Sequence, residues 1–476
     1  MTQAATVALP KRLPLVIEPE NRDESSLKDA KLVNGYVERS PSTDEYWIFK
    51  RPGLQPVAIL TPGVGRGVYN WLNNIYSVFG TTLYRDISPI GTVDGTGGTY
   101  TFSSSLGTTP RLQLMNGVAA YNWDNATLVQ ISGANFPGNT YVTPAVKGIV
   151  YLDGSTFVLD RQSYIHGSDT PPGLNVPDQW TEVLNLLGAQ IEPDRGVFLA
   201  KQLVYVLAMK EWSTEVFYNA QNPPGSLILG PVQGAKINYG CVSADSVQEV
   251  DGNLIWLCTN RSSSMQVVLL TALKPTIIST KAIERLLGEA DFTTVYSFIV
   301  KYEGHIFYGL TLKANNITLV YDLVDKKWAQ WTDANGNYFP IVSATYVSAT
   351  HARILQHETN GKLYDFDQSH FTDDGAVIPV DIYTPNFDGG VRRRKQLNLM
   401  EFIGDQTTGS SFSVRMNDSD FDSAKWTNFR QVDMSIKRPV LTNCGTFVRR
   451  AFHIRHAAAT PMRLQAVELQ LDIGML

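Results

Sequence analysis

Apolar and polar residues alternate in short runs through the middle of the chain, and a polar turn separates each run from the next. Residues 112–115 and 118–121 flank Asn116-Gly117, and similar runs flank Asp153-Gly154 and Asp251-Gly252. Alternation with a period of two is the pattern of half-buried β-strands, and Asn-Gly or Asp-Gly between two such runs favours a type I′ hairpin. The pattern therefore predicts a series of antiparallel hairpins.

These hairpins recur between about residues 65 and 367, roughly 35–50 residues apart, which is the period of four-stranded propeller blades. Closing such small sheets into a ring protects their edges. We expect an all-β fold with a β-propeller of six or seven irregular blades. A stack of two sheets built from the same hairpins is the alternative architecture.

One segment departs from the β pattern. Residues 279–290 read STKAIERLLGEA, with Thr280 placed to cap a first helical turn. Ala282, Ile283, Leu286 and Leu287 fall on one helical face. A short helix near residues 280–290 is therefore predicted between two blades.

The two ends of the chain differ from this middle part. Prolines interrupt the first 62 residues at positions 10, 14, 19, 41, 52, 56 and 62, which predicts an extended arm that packs on its own chain or on a neighbour, or a loose linker. From about residue 375, period-two runs such as 397–402 and 467–471 predict antiparallel strands of a β-sandwich. The expected organisation is an arm over 1–62, a propeller over 63–370 and a sandwich over 371–476.

Composition agrees with a folded protein and places the charge unevenly. The chain has 476 residues, 43% apolar, with a net charge of −5. Residues 380–476 contain 13 Lys and Arg against 10 Asp and Glu, a balance of +3, and the first 379 carry the other 27 and 35, a balance of −8. A protein that grips duplex DNA as its main task is usually basic, so this balance argues against that role.

The number of cysteines and the hydropathy of the chain indicate the cellular compartment in which the protein folds. Cys241, Cys258 and Cys444 are odd in number and lack metal-type spacing, which fits a reducing compartment. The first 15 residues contain no apolar run of signal length, and no stretch approaches 18 consecutive apolar residues. Export by a signal peptide and membrane spanning are not expected.

Candidate chemistry is sparse, and we expect no catalytic residue, no cofactor and no metal. Asp418, Asp420 and Asp422 resemble the start of a calcium loop, but the expected Gly and the bidentate Glu are missing. A second acidic group could hold a divalent ion but is better explained as a solvated connection; its members are Asp365, Asp367, His370, Asp373 and Asp374. The glycine-rich segments 63–67 and 95–99 lack the Lys-Ser/Thr pair and the helix of a phosphate loop.

Basic residues near the C-terminus are the more informative feature. The candidates for contact with a partner are Arg392, Arg393, Arg394, Lys395, Arg449, Arg450 and Arg455. They either protect a solvated edge strand by charge, or contact an acidic partner surface or passing phosphates.

Several segments together resemble one family, the tail nozzle proteins of short-tailed bacteriophages, also described as packaged-DNA stabilisation proteins or tail accessory factors. The similarity spans nearly the whole chain in the same order, including the C-terminal Arg-rich strands. The segments that carry it are 32–38 (LVNGYVE), 51–54 (RPGL), 65–68 (GRGV), 76–80 (YSVFG), 83–85 (LYR), 213–218 (STEVFY) and 278–284 (ISTKAIE).

The resemblance implies a structural virion protein of the tail, made in the cytoplasm of the bacterial host. It implies a closed ring, commonly a homohexamer, that lies below the portal and the head-to-tail adaptor, extends the DNA channel and retains the packaged DNA. The implied partners are further copies of the chain, the adaptor, a tail needle or plug, tailspikes or fibres, and double-stranded DNA in transit. The alternatives are a propeller glycosidase that acts on host surface polysaccharide and a receptor-binding module.

Overall fold

The computed structural model describes residues 11–15, 30–40, 46–105, 110–132, 136–138, 144–168, 180, 186–222, 228–262 and 264–473. Parts of the range expected as an arm, residues 1–10, 16–29 and 41–45, lie outside these ranges. The arm's described strands are β1 (Lys11–Arg12), β2 (Lys31–Val33), β3 (Gly35–Arg39), β4 (Tyr46–Lys50) and β5 (Gly53–Ile59).

Consecutive hairpins build most of the blades. The first two blades contain β6 (Gly65–Trp71), β7 (Asn74–Phe79), β8 (Thr82–Arg85), β9 (Ser88–Thr92), β10 (Thr101–Ser105), β11 (Arg111–Met115), β12 (Ala120–Trp123) and β13 (Leu128–Gln130). The third and fourth contain β14 (Ala145–Leu152), β15 (Ser155–Asp160), β16 (Tyr164–Gly167), β17 (Leu186–Gly188), β18 (Gly196–Gln202), β19 (Tyr205–Lys210), β20 (Thr214–Asn219) and β21 (Leu229–Pro231).

The remaining blades follow a short 3-10 helix, Ala244–Ser246. The fifth contains β22 (Gln248–Val250), β23 (Asn253–Cys258), β24 (Gln266–Thr271) and β25 (Lys274–Ile277), and helix α1 (Lys281–Gly288) comes next. The sixth and seventh contain β26 (Val295–Tyr302), β27 (His305–Leu312), β28 (Ile317–Asp322), β29 (Lys327–Gln330), β30 (Ile341–Val347), β31 (Ala352–His357) and β32 (Lys362–Asp367).

The chain then forms β33 (Thr372–Asp373), β34 (Ala376–Val377), β35 (Val380–Tyr383), β36 (Lys395–Gly404) and β37 (Ser411–Asn417). A 3-10 helix, Ser423–Lys425, precedes β38 (Arg430–Asp433), β39 (Val440–Thr442), β40 (Thr446–Phe447), β41 (Ala451–His456) and β42 (Arg463–Ile473).

Local turn chemistry explains the hairpins. Asp153 and Gly154 have φ angles of 48° and 94°, and Asp251 and Gly252 have 50° and 74°. Positive φ at both central positions is the requirement of a type I′ turn, whose twist suits two antiparallel strands. The predicted hairpins at these dipeptides are confirmed. Strands β11 and β12 also pair on either side of Asn116-Gly117, but there only Gly117 has a positive φ, 86°, so the type I′ turn predicted at that dipeptide is wrong. The helix predicted near 280–290 is present as α1, and the Thr280 hydroxyl accepts a hydrogen bond from the Ile283 amide.

The N-terminal strand β5 closes the propeller. Within the described ranges seven blades can be traced, and the seventh takes its fourth strand from β5, which pairs antiparallel with β32 from Gly53↔Asp367 to Ile59↔Lys362. The register shifts beside Pro56, a residue with no amide hydrogen to donate. Because the two ends of the ring lie in one sheet, opening the propeller requires breaking that sheet.

Apolar cores lie between neighbouring blades rather than at the propeller axis. Val68 and Phe79 of the first blade pack with Ile354 and Leu363 of the seventh in one buried cluster. At the inner ends, side chains satisfy backbone groups of the next blade: the Ser343 hydroxyl accepts from the Val68 amide (3.3 Å). The all-β propeller fold is thereby confirmed, and its two-sheet alternative is wrong.

Both ends of the chain contribute to the sandwich. One sheet has the order β3-β4-β42-β36-β39, with β1 paired to β42 and β40 to β36; the other runs β2-β35-β41-β37-β38 and continues through β2 into β29 of the sixth blade. The core between the two sheets includes Leu32, Ile48 and Ile454, and the rings of Phe402 and Phe412 stack there at 5.5 Å. The described strands of the arm range therefore lie in both units.

Candidate interaction site

Three consecutive arginines project from the sandwich. Arg392, Arg393 and Arg394 lie in the loop between β35 and β36, and all three are exposed. None of their side chains forms a hydrogen bond or ion pair with another residue of the described ranges. Their charge is therefore not neutralised by the rest of the described chain.

Two other predicted contact residues are buried and bonded within the fold. The Lys395 ammonium donates hydrogen bonds to the carbonyls of Val391 and Arg393, the latter at 2.8 Å. The Arg450 guanidinium forms a bidentate pair with Asp418, with Nε–Oδ1 at 2.6 Å and Nη2–Oδ2 at 2.8 Å. Burial lowers the pKa of Lys395, because the charged ammonium loses hydration there. Lys395 therefore fastens the loop that carries the arginines, and Arg450 joins Asp418 to the segment before β41, where it also donates to the carbonyls of Cys444 and Thr446.

The last two predicted contact residues, Arg449 and Arg455, are partly exposed to solvent. Arg449 is half-exposed and lies 3.4 Å from Asp420, and Arg455 is 40% exposed and lies 3.8 Å from Asp381. Exposed ion pairs contribute little to stability, so both guanidinium groups can exchange their partners at low cost.

Lys11 joins the arginine loop from the other end of the sequence. Strand β1 pairs with β42, and the Lys11 ammonium donates to the carbonyl of Gly389 in the loop that carries the arginines. We call Lys11, Arg392, Arg393 and Arg394 the basic tip. The sequence offered no signal for Lys11, because 378 residues separate it from Gly389.

The acidic groups considered as metal ligands bind cations of the protein instead. Asp418 pairs with Arg450, and Asp420 lies 3.4 Å from Arg449. In the second group Asp373 pairs with Arg51, while Asp374 pairs with Lys362 and accepts from Tyr364. Both groups are better explained as internal ion pairs.

The described residues contain one His/Asp cluster with converging ligand atoms, which sequence reasoning missed. His305 Nδ1 lies 2.6 Å from Asp322 Oδ2 and 3.6 Å from Asp325 Oδ2. Burial disfavours the charged imidazole, but the hydrogen bond to Asp322 and the two carboxylates outweigh it and raise the pKa of His305. The protonated imidazole can thus neutralise this cluster without a metal ion.

A cavity of about 500 Å³ lies on the propeller axis. Inner strands of six blades line it, namely β6, β10, β14, β18, β22 and β30. Among the described lining residues Glu249 is the only carboxylate, whereas glycoside hydrolysis usually requires a pair.

An ion pair lies next to the cavity, near the N-terminal ends of inner strands. Lys147 of the third blade pairs with Asp245, which precedes the fifth blade, and Asp245 also accepts from the Thr99 hydroxyl that precedes the second blade. Lys147 Nζ lies 3.3 Å from Thr99 Oγ1. The pair therefore joins blades that are not neighbours in the ring.

Comparison with solved structures gives matches at about 10% identity, all with TM-scores below 0.5. The extracellular domain of the one component system BT4673 from B. thetaiotaomicron has a TM-score of 0.42 and 10% identity over 86% of this chain, which spans only 59% of that chain. The N-terminal domain of Nup159 has a TM-score of 0.38 and 9% identity, and the match covers 71% of this chain and 100% of that domain. BamB from Moraxella catarrhalis has a TM-score of 0.36 and 9% identity, and the match covers 67% of this chain and 99% of BamB. No curated protein matches the sequence.

The described residues form a β-propeller joined to a β-sandwich that carries the exposed basic tip. Among these residues no helix is long and apolar enough to cross a membrane. The chain belongs to the phage stabilisation family described as bacteriophage P22 Gp10, β-propeller, whose model matches residues 18–369. It is a structural protein of the phage tail, and the resemblance derived from the sequence is confirmed.

Proposed function

We propose that this chain is a subunit of a closed tail nozzle ring that extends the DNA channel below the portal and its adaptor. The ring retains packaged DNA until ejection and supports spikes or fibres, and a needle or plug closes it. Membership of the phage stabilisation family is the observation that carries this proposal. A homohexamer is the expected copy number, and the work of the protein is structural rather than enzymatic.

The size of the axial cavity supports a ring of several copies. A duplex about 20 Å wide occupies roughly 6,000 Å³ over 20 Å of its length, which is about twelve times the cavity volume of about 500 Å³. DNA therefore passes outside the propeller axis, between copies arranged around a common opening. A closed ring of this kind needs a heterologous interface, in which two different surfaces of one copy meet those of its neighbours.

The basic tip is the surface we assign to docking. Arg392, Arg393 and Arg394 have no side-chain partner among the described residues, and guanidinium groups bind carboxylates and phosphates in bidentate geometry. We assign the sandwich, together with the arm range 1–62, to ring and adaptor contacts. The propeller then faces outward, where spikes or fibres can bind. Arg449 and Arg455 lie on the same unit and complete the candidate contact surface.

Charge removal at the tip tests this assignment. DNA-filled heads that lack the protein are incubated with purified chain, and nuclease-resistant DNA and tail assembly are measured. The wild-type chain restores both, and a triple Ala variant at 392, 393 and 394 loses at least tenfold in tail occupancy. The matched control removes three exposed propeller cations, Lys274, Lys281 and Arg285, and assembles normally. Normal assembly by the tip variant would overturn the docking role, and heads that keep their DNA without the chain would overturn the nozzle role.

A further inference from the structure

We infer that the axial cavity of the propeller is a binding site for a neutral saccharide of one or two rings. This inference goes beyond the nozzle role and does not depend on ring assembly. The cavity volume of about 500 Å³ lies in the range of small-molecule binding sites, which is about 300–1,000 Å³. Such a volume accommodates a monosaccharide or a disaccharide but no macromolecule.

Aromatic rings and hydroxyl groups both line the cavity wall. Tyr69 and Phe102 lie on adjacent blades, and their rings stack on each other at 5.4 Å and 7°, so one face of each ring is covered by the other. Aromatic faces pack against the C–H faces of sugar rings, while hydroxyl groups satisfy the sugar's own hydroxyls.

The hydroxyl groups are held in fixed positions. Ser103 accepts from the Tyr151 amide at 3.1 Å, and Ser343 accepts from the Val68 amide at 3.3 Å. Because these hydroxyls accept from backbone amides, their O–H donors remain available for a ligand in the cavity. A rigid donor set of this kind lowers the entropic cost of binding.

The charges of the wall cancel. Lys201 and Glu249 are the one cation and the one carboxylate among the described lining residues, and each acts electrostatically on the other. A ligand with a net charge would leave one of them unbalanced in a partly enclosed site. A neutral polyol therefore fits the wall better than a sugar acid or an amino sugar.

The ends of the cavity are the routes of entry that the proposal uses. Lys147, Asp245 and Thr99 meet near the N-terminal ends of three inner strands, so a ligand that enters there has to pass this ion pair. Side-on entry between blades is opposed by the buried apolar clusters that join neighbouring blades.

Saturation-transfer NMR on the purified full chain tests the inference. The probes are glucose, galactose, mannose, N-acetylglucosamine and maltose, with glucuronate as the charged probe. Signal is expected from at least one neutral sugar, and at least a fivefold loss of that signal is expected when Ser104→Trp fills the cavity. Ser104 lines the cavity, and its side chain forms no hydrogen bond with another residue of the described part of the chain.

The matched control is Thr276→Trp, the same kind of change on the exposed strand β25, which leaves the signal unchanged. A Tyr69→Ala variant weakens binding without filling the cavity, so the result does not rest on one variant. Transfer to none of the neutral sugars, equal transfer in Ser104→Trp, or a preference for glucuronate would each overturn the inference. None of these outcomes bears on whether the chain assembles into a tail.

Discussion

The guanidinium of Arg51 and the carboxylate of Asp373 form a bidentate pair, with Nη1–Oδ1 at 3.0 Å and Nη2–Oδ2 at 2.5 Å, although 322 residues separate them in sequence. Arg51 Nε also donates to Asn34 Oδ1 at 3.0 Å, and Nη2 donates to the Thr332 carbonyl at 2.9 Å. The side chain is fully buried. It therefore connects the arm range, the link between the sixth and seventh blades, and the segment that leads into the sandwich.

Replacing Arg51 should destabilise the chain strongly. Arg51→Ala leaves the Asp373 carboxylate without its cation, and breaking a buried ion pair in this way costs about 3–5 kcal/mol. We expect calorimetry to show a fall in Tm of about 3–5 °C, because the entropy of unfolding of a chain of this length is about 1 kcal/mol/K.

The control for that variant is Arg438→Ala. Arg438 also forms a bidentate pair, with Glu401 at 2.8 Å, but its side chain is 68% exposed. Exposed ion pairs contribute little to stability, so the Tm of the Arg438→Ala variant should stay near that of the wild type. Equal effects of the two variants would contradict the junction role of Arg51.

The packing of β33 against β5 depends on a close backbone approach at Gly53. A Cβ at this position would lie 2.3 Å from the Thr372 carbonyl oxygen and 2.7 Å from that of His370. Gly53→Ala should force β5 away from its neighbour and cost about 1–3 kcal/mol, seen as faster limited proteolysis within the seventh blade. Gly288→Ala at the end of α1 meets no atom within 4 Å and should leave the proteolysis rate unchanged. Identical rates for both variants would show that the close approach of β5 to β33 does not contribute to the stability of this sheet.

Acid should destabilise the chain through His456. Burial, together with the charge of Lys50, lowers the pKa of His456 to about 3. Its Nε2 contacts the Ser410 hydroxyl at 3.1 Å and the Thr460 hydroxyl at 3.2 Å. The unfolded state takes up a proton near pH 6.5 whereas the folded state does not, so stability is present above about pH 6.5 and is lost as pH falls toward 3.

Between about pH 7.5 and pH 4.5 the His456 contribution to this loss is about 2–3 kcal/mol. The variant His456→Gln should therefore show a smaller fall in Tm over this range than the wild type. His351→Gln, at an exposed histidine, should follow the wild type. An equally steep fall in His456→Gln would contradict the linkage.

Sequence reasoning succeeded where structure is decided locally. Asp153-Gly154 and Asp251-Gly252 specify their turns through the φ angles that these residues tolerate, and Thr280 specifies the start of α1 through a single hydroxyl. Neighbouring residues in the chain carry all of this information, so the blades and the inserted helix were predictable.

Sequence reasoning failed where strands pair with partners that are distant in the chain. The pairing of β5 with β32 and of β2 with β35 joins segments more than 300 residues apart, and no periodicity in either partner identifies the other. The run of cations near the C-terminus was visible, but the burial of Lys395 and Arg450 was not, because burial depends on which loops meet at that end of the sandwich. The boundaries at 62 and 370 remain a proposal.

Cryo-electron microscopy of the assembled tail tests the central claim most directly. The account predicts a closed ring of several copies, with DNA passing between the copies, the sandwiches at ring and adaptor contacts, and each propeller axis away from the DNA path. A single copy per tail, or a duplex threaded through a propeller, would contradict it.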